Sequence, residues 1–343
     1  MRTVEFSRYG AARDVLELVD NAPKPVPAFG EVLINVKAAS VNPVDCAIRS
    51  GYGREVFKSK GQVGTSAFPM RLGRDAAGVI EAVGDGVTGF AKGDKVFTAP
   101  TRAAIAEYIS VAANEVAAMP RNLTFVAAAA IPFVAMTTWS ALVDLGGLTE
   151  AAAPGKRVVI ARGAGGVGSF AIQLMKAWGA YVASTCSTGN VAFVKSLGAD
   201  RVVDYKRERV SEVLKDYDAV FDSAFDMEDE LLATLKNGAG ASYVTIVSPK
   251  VKLADQHGVE AGTRLAEEEY ACRAAAQKKL GRNYYWSFMQ PNGAALAQVS
   301  RLLELGKITP VVDRVYALAQ IADAHEYSES RTARGKIVLD FER

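Results

Sequence analysis

A glycine-rich turn between an apolar run and a helical pattern is the most informative segment of this 343-residue chain. Its glycines follow the β-branched run 157–161 in a GxGxxG spacing. They allow the backbone to turn sharply and to approach a pyrophosphate without an intervening Cβ atom. The helix that follows directs unsatisfied N–H groups and its positive dipole end at the phosphates. The pattern therefore predicts dinucleotide binding by Gly163, Ala164, Gly165, Gly166, Val167 and Gly168.

The next strand-like segment, 180–185, ends in small hydroxyl residues. In NAD sites an Asp or Glu about 20 residues after the glycines binds the ribose 2′-hydroxyl. This chain has Ser184, Thr185 and Ser187 in that region. Such residues leave room for a 2′-phosphate, which favours NADPH as the cofactor. Lys206 and Arg207 would add positive charge there, and an ordinary solvated charged run remains the alternative for both.

Charge and metal-ligand counts exclude several function classes. Lys plus Arg is 40 and Asp plus Glu is 38, so the net charge is 40 − 38 = +2. This balance argues against a broad nucleic-acid-binding surface. The three cysteines make no CxxC spacing and the two histidines make no HExxH motif. We therefore predict no metal site and no nucleic-acid partner.

The apolar stretches are short for a membrane protein. The segment 126–135 is apolar for ten residues, whereas a membrane-spanning helix needs about 20. The amino-terminal residues MRTVEFSRYG lack the apolar core of a signal peptide. We therefore predict no membrane span and a cytoplasmic location, with a mature organellar form that has lost its presequence as the alternative.

The elements that must position the turn fall into three regions. Residues 1–122 contain short alternating strands with Gly/Asp turns, at 30–38, 78–84 and 95–97, which is typical of a small irregular barrel. Residues 123–290 alternate strands with helices, which predicts a parallel, doubly wound sheet. Residues 291–343 contain a helix and short strand-like pieces, which we expect to return to the first region.

Motifs along nearly the whole chain match one family. They are SVNPVD (40–45), RSGYG (49–53), LGRDAAGV (72–79), GGVG (165–168), LGAD (197–200) and ARGKIV (333–338). On these segments the chain resembles the medium-chain dehydrogenase/reductase superfamily, in its zinc-independent quinone-oxidoreductase branch. The resemblance implies an α/β fold, with a Rossmann doubly wound parallel sheet plus a β-rich GroES-like barrel domain. It also allows a homodimer, because relatives commonly pair through the edge of the cofactor-domain sheet.

Four further segments resemble a mitochondrial, reticulon-4-interacting subfamily of this branch. They are QLMKAW (173–178), YVT (243–245), YWSFM (285–289) and GKITPV (306–311).

The resemblance also shows where this chain departs from the zinc members. Those relatives carry a Cys after the first long strand and a His-Glu pair, where this chain has Asn42 with Asp45 and Gly73 with Arg74 and Asp75. We expect Arg74 and Asp75 to form a local ion pair. A Lewis-acidic zinc is then not available. The resemblance instead implies hydride transfer from NADPH to a quinone or another α,β-unsaturated carbonyl.

Two residues are catalytic candidates by this resemblance. Tyr52 matches the segment that carries the proton-donating Tyr of the enoyl reductases, since a phenol can protonate a developing enolate. A Tyr packed there for shape is the alternative. Asn42 matches an Asn at the nicotinamide-facing end of the cleft, and a turn-forming Asn before Pro43 is the alternative.

Cofactor contacts are implied for residues beyond the glycine turn. Relatives line the nicotinamide with segments that match Thr137, Val247 and Ser248, and they contact the cofactor with a residue that matches Lys336. Ser187 and Tyr205 match the contacts of the 2′-phosphate.

Two departures bear on these contacts. Arg162 stands where relatives usually have Gly or Ala, and its side chain could reach a phosphate. Asn190 stands near the place where several relatives have a phosphate-binding Lys.

Two other functions stay open at this level. An enoyl-thioester reductase would also use Tyr52, and a non-enzymatic NADPH-binding interaction protein would keep only the cofactor site. The aromatic residues Tyr285, Trp286 and Phe288 fit either a strand core or a wall that stacks on a flat acceptor. The basic segment 54–71 is expected to be a loop beside Tyr52 that could cover the cleft.

Overall fold

A computed structural model describes residues 1–59, 68–101 and 103–343. Within these residues the strands are β1 (Thr3–Phe6), β2 (Glu17–Val19), β3 (Glu31–Val41), β4 (Met70–Arg71), β5 (Ala76–Val83), β6 (Lys95–Thr98), β7 (Tyr108–Ala112), β8 (Val116–Ala118), β9 (Arg157–Ile160), β10 (Tyr181–Cys186), β11 (Arg201–Asp204), β12 (Ala219–Asp222), β13 (Ala241–Thr245), β14 (Arg282–Trp286), β15 (Val312–Ala317) and β16 (Lys336–Asp340).

The helices in the same part of the chain are α1 (Ala12–Val15), α2 (Pro43–Arg49), α3 (Arg54–Ser59), α4 (Phe125–Ala128), α5 (Pro132–Thr138), α6 (Gly166–Ala177), α7 (Val191–Ser196), α8 (Val210–Val213), α9 (Glu228–Leu232), α10 (Lys250–His257), α11 (Val259–Lys279), α12 (Gly293–Glu304) and α13 (Ile321–Glu329). A π-helical segment spans Trp139–Leu145, and 3-10 turns span Ala113–Glu115, Thr188–Asn190 and Leu318–Gln320.

The chain forms two compact units. The first, called here the barrel unit, contains Met1–Met136, Gln290–Gly306 and Pro310–Arg343. The second, called the sheet unit, contains Thr137–Met289 and Lys307–Thr309.

The long strand β3 organises the barrel unit. Its sheet has the order β15-β16-β3-β5-β6-β8, and β7 also pairs with β3. The strands β5, β7 and β16 all run antiparallel to β3. Alternate apolar residues of β3, among them Val32, Ile34 and Val36, are buried in the barrel core, as the period of two along a strand requires.

The sheet unit is a parallel, doubly wound sheet. Its strand order is β11-β10-β9-β12-β13-β14, with every pairing parallel. The order reverses between β9 and β12, which is the place where ligands bind in open sheets of this kind. Val158, Val159 and Ile160 of β9 are fully buried, because helices cover both faces of a parallel sheet. The predicted doubly wound fold is thereby confirmed.

Within the part of the chain that the structure describes, one helical stretch is long and apolar enough for a membrane span by length and composition alone. It covers Phe125–Leu145, and 78% of its most apolar window is buried inside the protein. Burial in the core of the fold accounts for this apolar composition.

The predicted loop over 54–71 is wrong in part. Arg54–Ser59 forms helix α3, and Met70–Arg71 forms strand β4 beside β1. Residues 60–67 lie outside the described residues. The suggestion that this segment covers a cleft therefore stays a prediction.

Candidate functional site

The glycine turn connects β9 to α6 in the sheet unit, and its glycines have different neighbours. A Cβ atom at Gly163 would lie 2.2 Å from Ser184 Oγ, and one at Gly168 would lie 2.4 Å from the carbonyl oxygen of Arg162. These two glycines therefore allow the close packing of the turn. A Cβ at Gly165 would meet nothing nearer than that same carbonyl, at 3.5 Å. A side chain at Gly165 would therefore meet no steric clash with the protein.

The turn and its surroundings fit a dinucleotide. Gly165 is the N-cap of α6 and supplies no side-chain cap, so the first N–H groups of the helix are left for a ligand. Ala164, Gly166 and Val167 are half-buried along the same turn. Thr137 is 5% exposed, and its Oγ1 has no hydrogen-bond partner among the described residues. A buried hydroxyl without a partner is unfavourable, and a bound nicotinamide carboxamide would satisfy it.

The predicted 2′-phosphate contacts lie at the carboxyl ends of β10 and β11. Cys186 pairs with Asp204 in the register of these strands, so the next residues, Ser187 and Tyr205, start at the same edge of the sheet. Ser187 Oγ accepts a hydrogen bond of 3.1 Å from Asn190 Nδ2. Tyr205 is 45% exposed. Both side chains are accessible to a ligand at this edge.

Lys206 and Arg207 lie close to an acidic partner. The guanidinium of Arg207 lies 3.6 Å from Asp204 Oδ2. A hydrogen bond from Thr188, a backbone N–H of Lys206 and the two nearby cations hold the pKa of Asp204 below its ordinary value. This favours the interpretation of Lys206 and Arg207 as an ordinary solvated charged run.

Val247 and Ser248 form the turn that leads from β13 into α10. The N–H of Val247 donates to Thr245 Oγ1 at 3.0 Å, and the N–H of Lys250 donates to Ser248 Oγ at 3.2 Å. Both residues are half-buried. They therefore lie at the carboxyl edge of the sheet, the same edge as the glycine turn.

A buried polar cluster centred on Asp75 is the main feature of the barrel unit. Asp75 Oδ2 accepts hydrogen bonds from Asn42 Nδ2 at 3.0 Å, from Lys336 Nζ at 3.1 Å and from the Ser40 hydroxyl. Its Oδ1 accepts the N–H of Phe133 at 2.6 Å. Lys336 also donates to Asn42 Oδ1. The side chain of Asn42 is therefore held at both ends.

Strand register explains why these distant residues meet. Ile337 of β16 pairs with Val41, and Ala76 of β5 pairs with Ala39. Both strands are antiparallel to β3, so Lys336 and Asp75 lie beside the end of β3, where Asn42 begins α2. The ion pair between Lys336 and Asp75 had no local signal in the sequence. The sequence led us to expect an ion pair between Asp75 and its neighbour Arg74. In the structure the ion-pair partner of Asp75 is Lys336.

Asp45 anchors the start of α2. Its carboxylate accepts the N–H of Asn42 at 2.9 Å and the N–H of Gly73 at 3.1 Å. Burial raises the pKa of Asp45, while Arg74 and these two N–H groups oppose that shift. Asp45 thus fixes the two loops that carry Asn42 and Asp75. Tyr52 follows the end of α2 and is 38% exposed.

The aromatic residues at the end of β14 and just after it have different surroundings. Trp286 Nε1 donates to Tyr284 Oη at 3.0 Å, and its ring packs edge-on against Tyr270. Tyr285 is half-buried, and Phe288 is 49% exposed. Trp286 is therefore partly buried and packs against the core of the sheet unit, and Phe288 is exposed at its surface.

Metal ligands do not cluster in the described part of the chain. No group of three or more His, Cys, Asp or Glu side chains there has the geometry to hold an ion.

Two protein-family models match parts of the chain. The Alcohol dehydrogenase GroES-like domain matches residues 28–121, and the Zinc-binding dehydrogenase domain matches residues 197–339. The expected combination of a GroES-like domain with a Rossmann domain is thereby confirmed.

Relatives match over nearly the full chain. The mitochondrial NAD(P)H oxidoreductase RTN4IP1 of Danio rerio is 39% identical, over 97% of this chain and 89% of its own. The chloroplastic NADPH-dependent alkenal/one oxidoreductase of Arabidopsis thaliana is 33% identical, over 99% and 79%.

Solved structures agree with these relatives. The quinone oxidoreductase from Coxiella burnetii has a TM-score of 0.81 at 28% identity and covers 99% of both chains. The Escherichia coli quinone oxidoreductase complexed with NADPH has a TM-score of 0.76 at 25% identity, over 99% of this chain and 100% of its own.

The relatives by sequence show that the predicted cytoplasmic location is wrong. The RTN4IP1 relatives from Danio rerio, Mus musculus, Homo sapiens and Dictyostelium discoideum are all named mitochondrial. They point to mitochondria instead. On its full-length identity to these enzymes and its two matched domains, the chain belongs to the medium-chain dehydrogenase/reductase family.

Proposed function

We propose that this protein is an NADPH-dependent, zinc-independent oxidoreductase that transfers hydride to quinones or related α,β-unsaturated carbonyls. The observation that carries the proposal is the glycine turn after β9, where Gly165 leaves the amino end of α6 without a side-chain cap. Two relatives are named NAD(P)H or NADPH-dependent oxidoreductases, and a similar structure was solved with NADPH.

The choice of NADPH rests on the end of β10. Ser187 and Tyr205 present hydroxyl groups there, and the residues that follow β10 include no carboxylate that would repel a 2′-phosphate. The carboxylate of Asp204 is buried and accepts the backbone N–H of Lys206 at 3.1 Å. We therefore assign Ser187 and Tyr205 to the 2′-phosphate, the glycine turn to the pyrophosphate, and Thr137, Val247 and Ser248 to the nicotinamide.

NADPH supplies the hydride, and the residues of this chain bind and orient the reactants. In the barrel unit, the ammonium of Lys336 already balances the charge of Asp75 and holds Asn42 Oδ1. Asn42 Nδ2 has a second N–H, which we assign to the carbonyl oxygen of the acceptor. Positive charge at this place comes from a lysine, which supports zinc-independent chemistry.

Tyr52 is the proposed proton donor for enone substrates. Hydride addition to the β-carbon of an enone leaves an enolate, which a phenol at hydrogen-bond distance can protonate. Its partial exposure leaves the ring accessible to a ligand. Quinone reduction needs no such donor from the protein, because water can supply the proton to the reduced oxygen.

The test follows NADPH oxidation by its absorbance in the presence of a planar ortho-quinone or an enone. NADH with the same acceptors is the control for the cofactor. We expect turnover with NADPH that depends on the acceptor, and weaker turnover with NADH. Tyr52→Phe should slow enone reduction and leave quinone reduction nearly unchanged. NADPH binding without turnover on either acceptor would contradict the proposal and favour a nucleotide-binding interaction protein.

A further inference from the structure

Arg162 has an unusual backbone conformation in the glycine turn. Its φ angle is +55°, in the left-handed region that disfavours residues with a Cβ atom. Its N–H donates to Thr185 Oγ1 at 3.0 Å, and the N–H of Gly163 donates to the carbonyl oxygen of Thr185 at 2.9 Å. These two bonds attach the start of the turn to the end of β10. An arginine is thus held, against its backbone preference, beside the end of β10, the strand end at which folds of this kind bind the adenosine ribose.

The side chain of Arg162 lies over an exposed aromatic ring. Its guanidinium carbon is 5.9 Å from the centre of the Phe225 ring. Phe225 follows the end of β12 and is 68% exposed, and Arg162 is also exposed. A guanidinium at this distance from an aromatic face is attracted by the ring. The ring thereby restricts where the long side chain of Arg162 can go.

Arg162 keeps its charge available for a ligand. Its guanidinium lies over the Phe225 ring and makes no ion pair within the residues that the structure describes. The charge of Arg162 acts on the carboxylate of Asp222, at the end of β12. That carboxylate is 2% exposed and already accepts Tyr243 Oη at 2.6 Å, Thr245 Oγ1 at 3.1 Å and the N–H of Ala224 at 2.7 Å.

The segments that follow four neighbouring strands all leave the same edge of the parallel sheet, whose order is β11-β10-β9-β12. Arg162 follows β9, Ser187 follows β10, Tyr205 follows β11 and Phe225 follows β12. We propose that Arg162, supported by the ring of Phe225, pairs with the 2′-phosphate of NADPH and determines the preference for NADPH over NADH. A planar guanidinium forms two parallel hydrogen bonds to a phosphate, which the hydroxyl groups of Ser187 and Tyr205 cannot replace. This inference rests on the proposed function, of which it names the cofactor-selecting residue.

The test measures the binding of two nucleotide fragments to the full chain by titration calorimetry. The probes are 2′,5′-ADP and 5′-AMP, which differ only in the 2′-phosphate. Arg162→Met removes the charge and keeps an unbranched, apolar side chain close in size to the aliphatic part of arginine. It should weaken 2′,5′-ADP by about 10-fold to 100-fold, as expected for a charge-assisted pair, and leave 5′-AMP within about twofold.

Three further variants separate recognition from a structural role. Arg162→Gly should show the same selective loss as Arg162→Met, although it relaxes the backbone. Phe225→Leu should weaken 2′,5′-ADP by only about twofold to fivefold, the range of an exposed cation–π contact. Arg207→Met is the matched control, because Arg207 is already beside Asp204, and it should change neither affinity.

Other outcomes overturn the inference in distinguishable ways. Equal losses for both fragments in Arg162→Met would place Arg162 on the common 5′-phosphate or in the fold. A preference for 2′,5′-ADP that survives Arg162→Met would overturn the role of Arg162 and leave the NADPH assignment standing. A preference that disappears in Arg207→Met would do the same, because it would assign the 2′-phosphate to Arg207. A wild-type protein that does not prefer 2′,5′-ADP would overturn the NADPH assignment of the proposed function as well.

Discussion

Lys336 Nζ lies 3.1 Å from Asp75 Oδ2, and the two side chains are 5% and 0% exposed. The Asp75 carboxylate also accepts hydrogen bonds from Asn42, Ser40 and the backbone of Phe133. A buried ion pair is stable only when its remaining hydrogen-bonding groups are also satisfied. Here the pair fixes the amide of Asn42, the residue proposed to contact the acceptor.

Asp75→Asn should destabilise the barrel unit, because it leaves the Lys336 ammonium buried without an opposite charge. Breaking one side of a buried ion pair costs about 3–5 kcal/mol. Urea unfolding measures this loss. The double variant Asp75→Asn with Lys336→Met should recover most of it, since a neutral pair of similar size has no buried charge. A double variant no more stable than Asp75→Asn would contradict the ion-pair explanation.

Gly165→Ala should fold normally and bind NADPH poorly. Its new Cβ would lie 3.5 Å from the nearest protein atom, but in the space assigned to the pyrophosphate. Gly168→Ala is the contrasting variant, because its Cβ would lie 2.4 Å from backbone and must disturb the turn itself. Thermal unfolding with fluorescence titration of NADPH distinguishes the two. Normal NADPH affinity in Gly165→Ala would refute the placement of the phosphates.

Arg162→Gly should raise the stability of the sheet unit while it lowers the preference for NADPH. The left-handed conformation costs a residue with a Cβ roughly 1–2 kcal/mol, and glycine adopts it without that cost. Because glycine also loses more entropy on folding, we expect a net gain of about 1 kcal/mol at most. Denaturant unfolding checks the gain. A less stable Arg162→Gly protein would mean that the side chain has a structural role.

The stability of the barrel unit should fall in mild acid because of His325. This side chain is 0% exposed on α13, and neither ring nitrogen has a partner among the described residues. Burial, together with the charge of Arg49, lowers the pKa of His325 from 6.5 to about 3. The unfolded chain thus binds one more proton than the folded chain between these values. The free energy of unfolding should fall by up to about 1.4 kcal/mol per pH unit below 6.5.

Urea midpoints at pH 7.5, 6 and 5 measure this effect. His325→Leu should flatten the dependence on pH, because it removes the titrating group. His257→Gln is the matched control. His257 is exposed at the end of α10, so its substitution leaves the core unchanged. A steep acid loss that persists unchanged in His325→Leu would assign the effect to the carboxylates.

Removal of metal ions should leave the reductase activity unchanged. The Lys336 ammonium already provides a cation beside Asp75 and Asn42, in the segments where zinc members of the family carry ligands. Dialysis against a chelator should change turnover by less than about twofold, whereas a zinc-dependent reaction would stop. Recovery of a lost activity by added zinc would overturn zinc independence.

The sequence alone determined the elements whose signals are local. The glycine spacing at 163–168 predicted the phosphate turn, because backbone freedom and helix start are properties of a few adjacent residues. The alternation of strands and helices predicted the doubly wound sheet, which the strand order confirms. The roles of Tyr52, Asn42 and the cofactor contacts stay predictions, because they depend on a bound ligand.

Only the tertiary structure decided which charged groups are partners. Lys336 and Asp75 are 261 positions apart, and Arg162 contacts a ring that follows β12. The first pair meets because β5 and β16 take a fixed register on β3, and the second because parallel strands end at the same edge. Strand register follows from packing along whole elements, and no short motif records it.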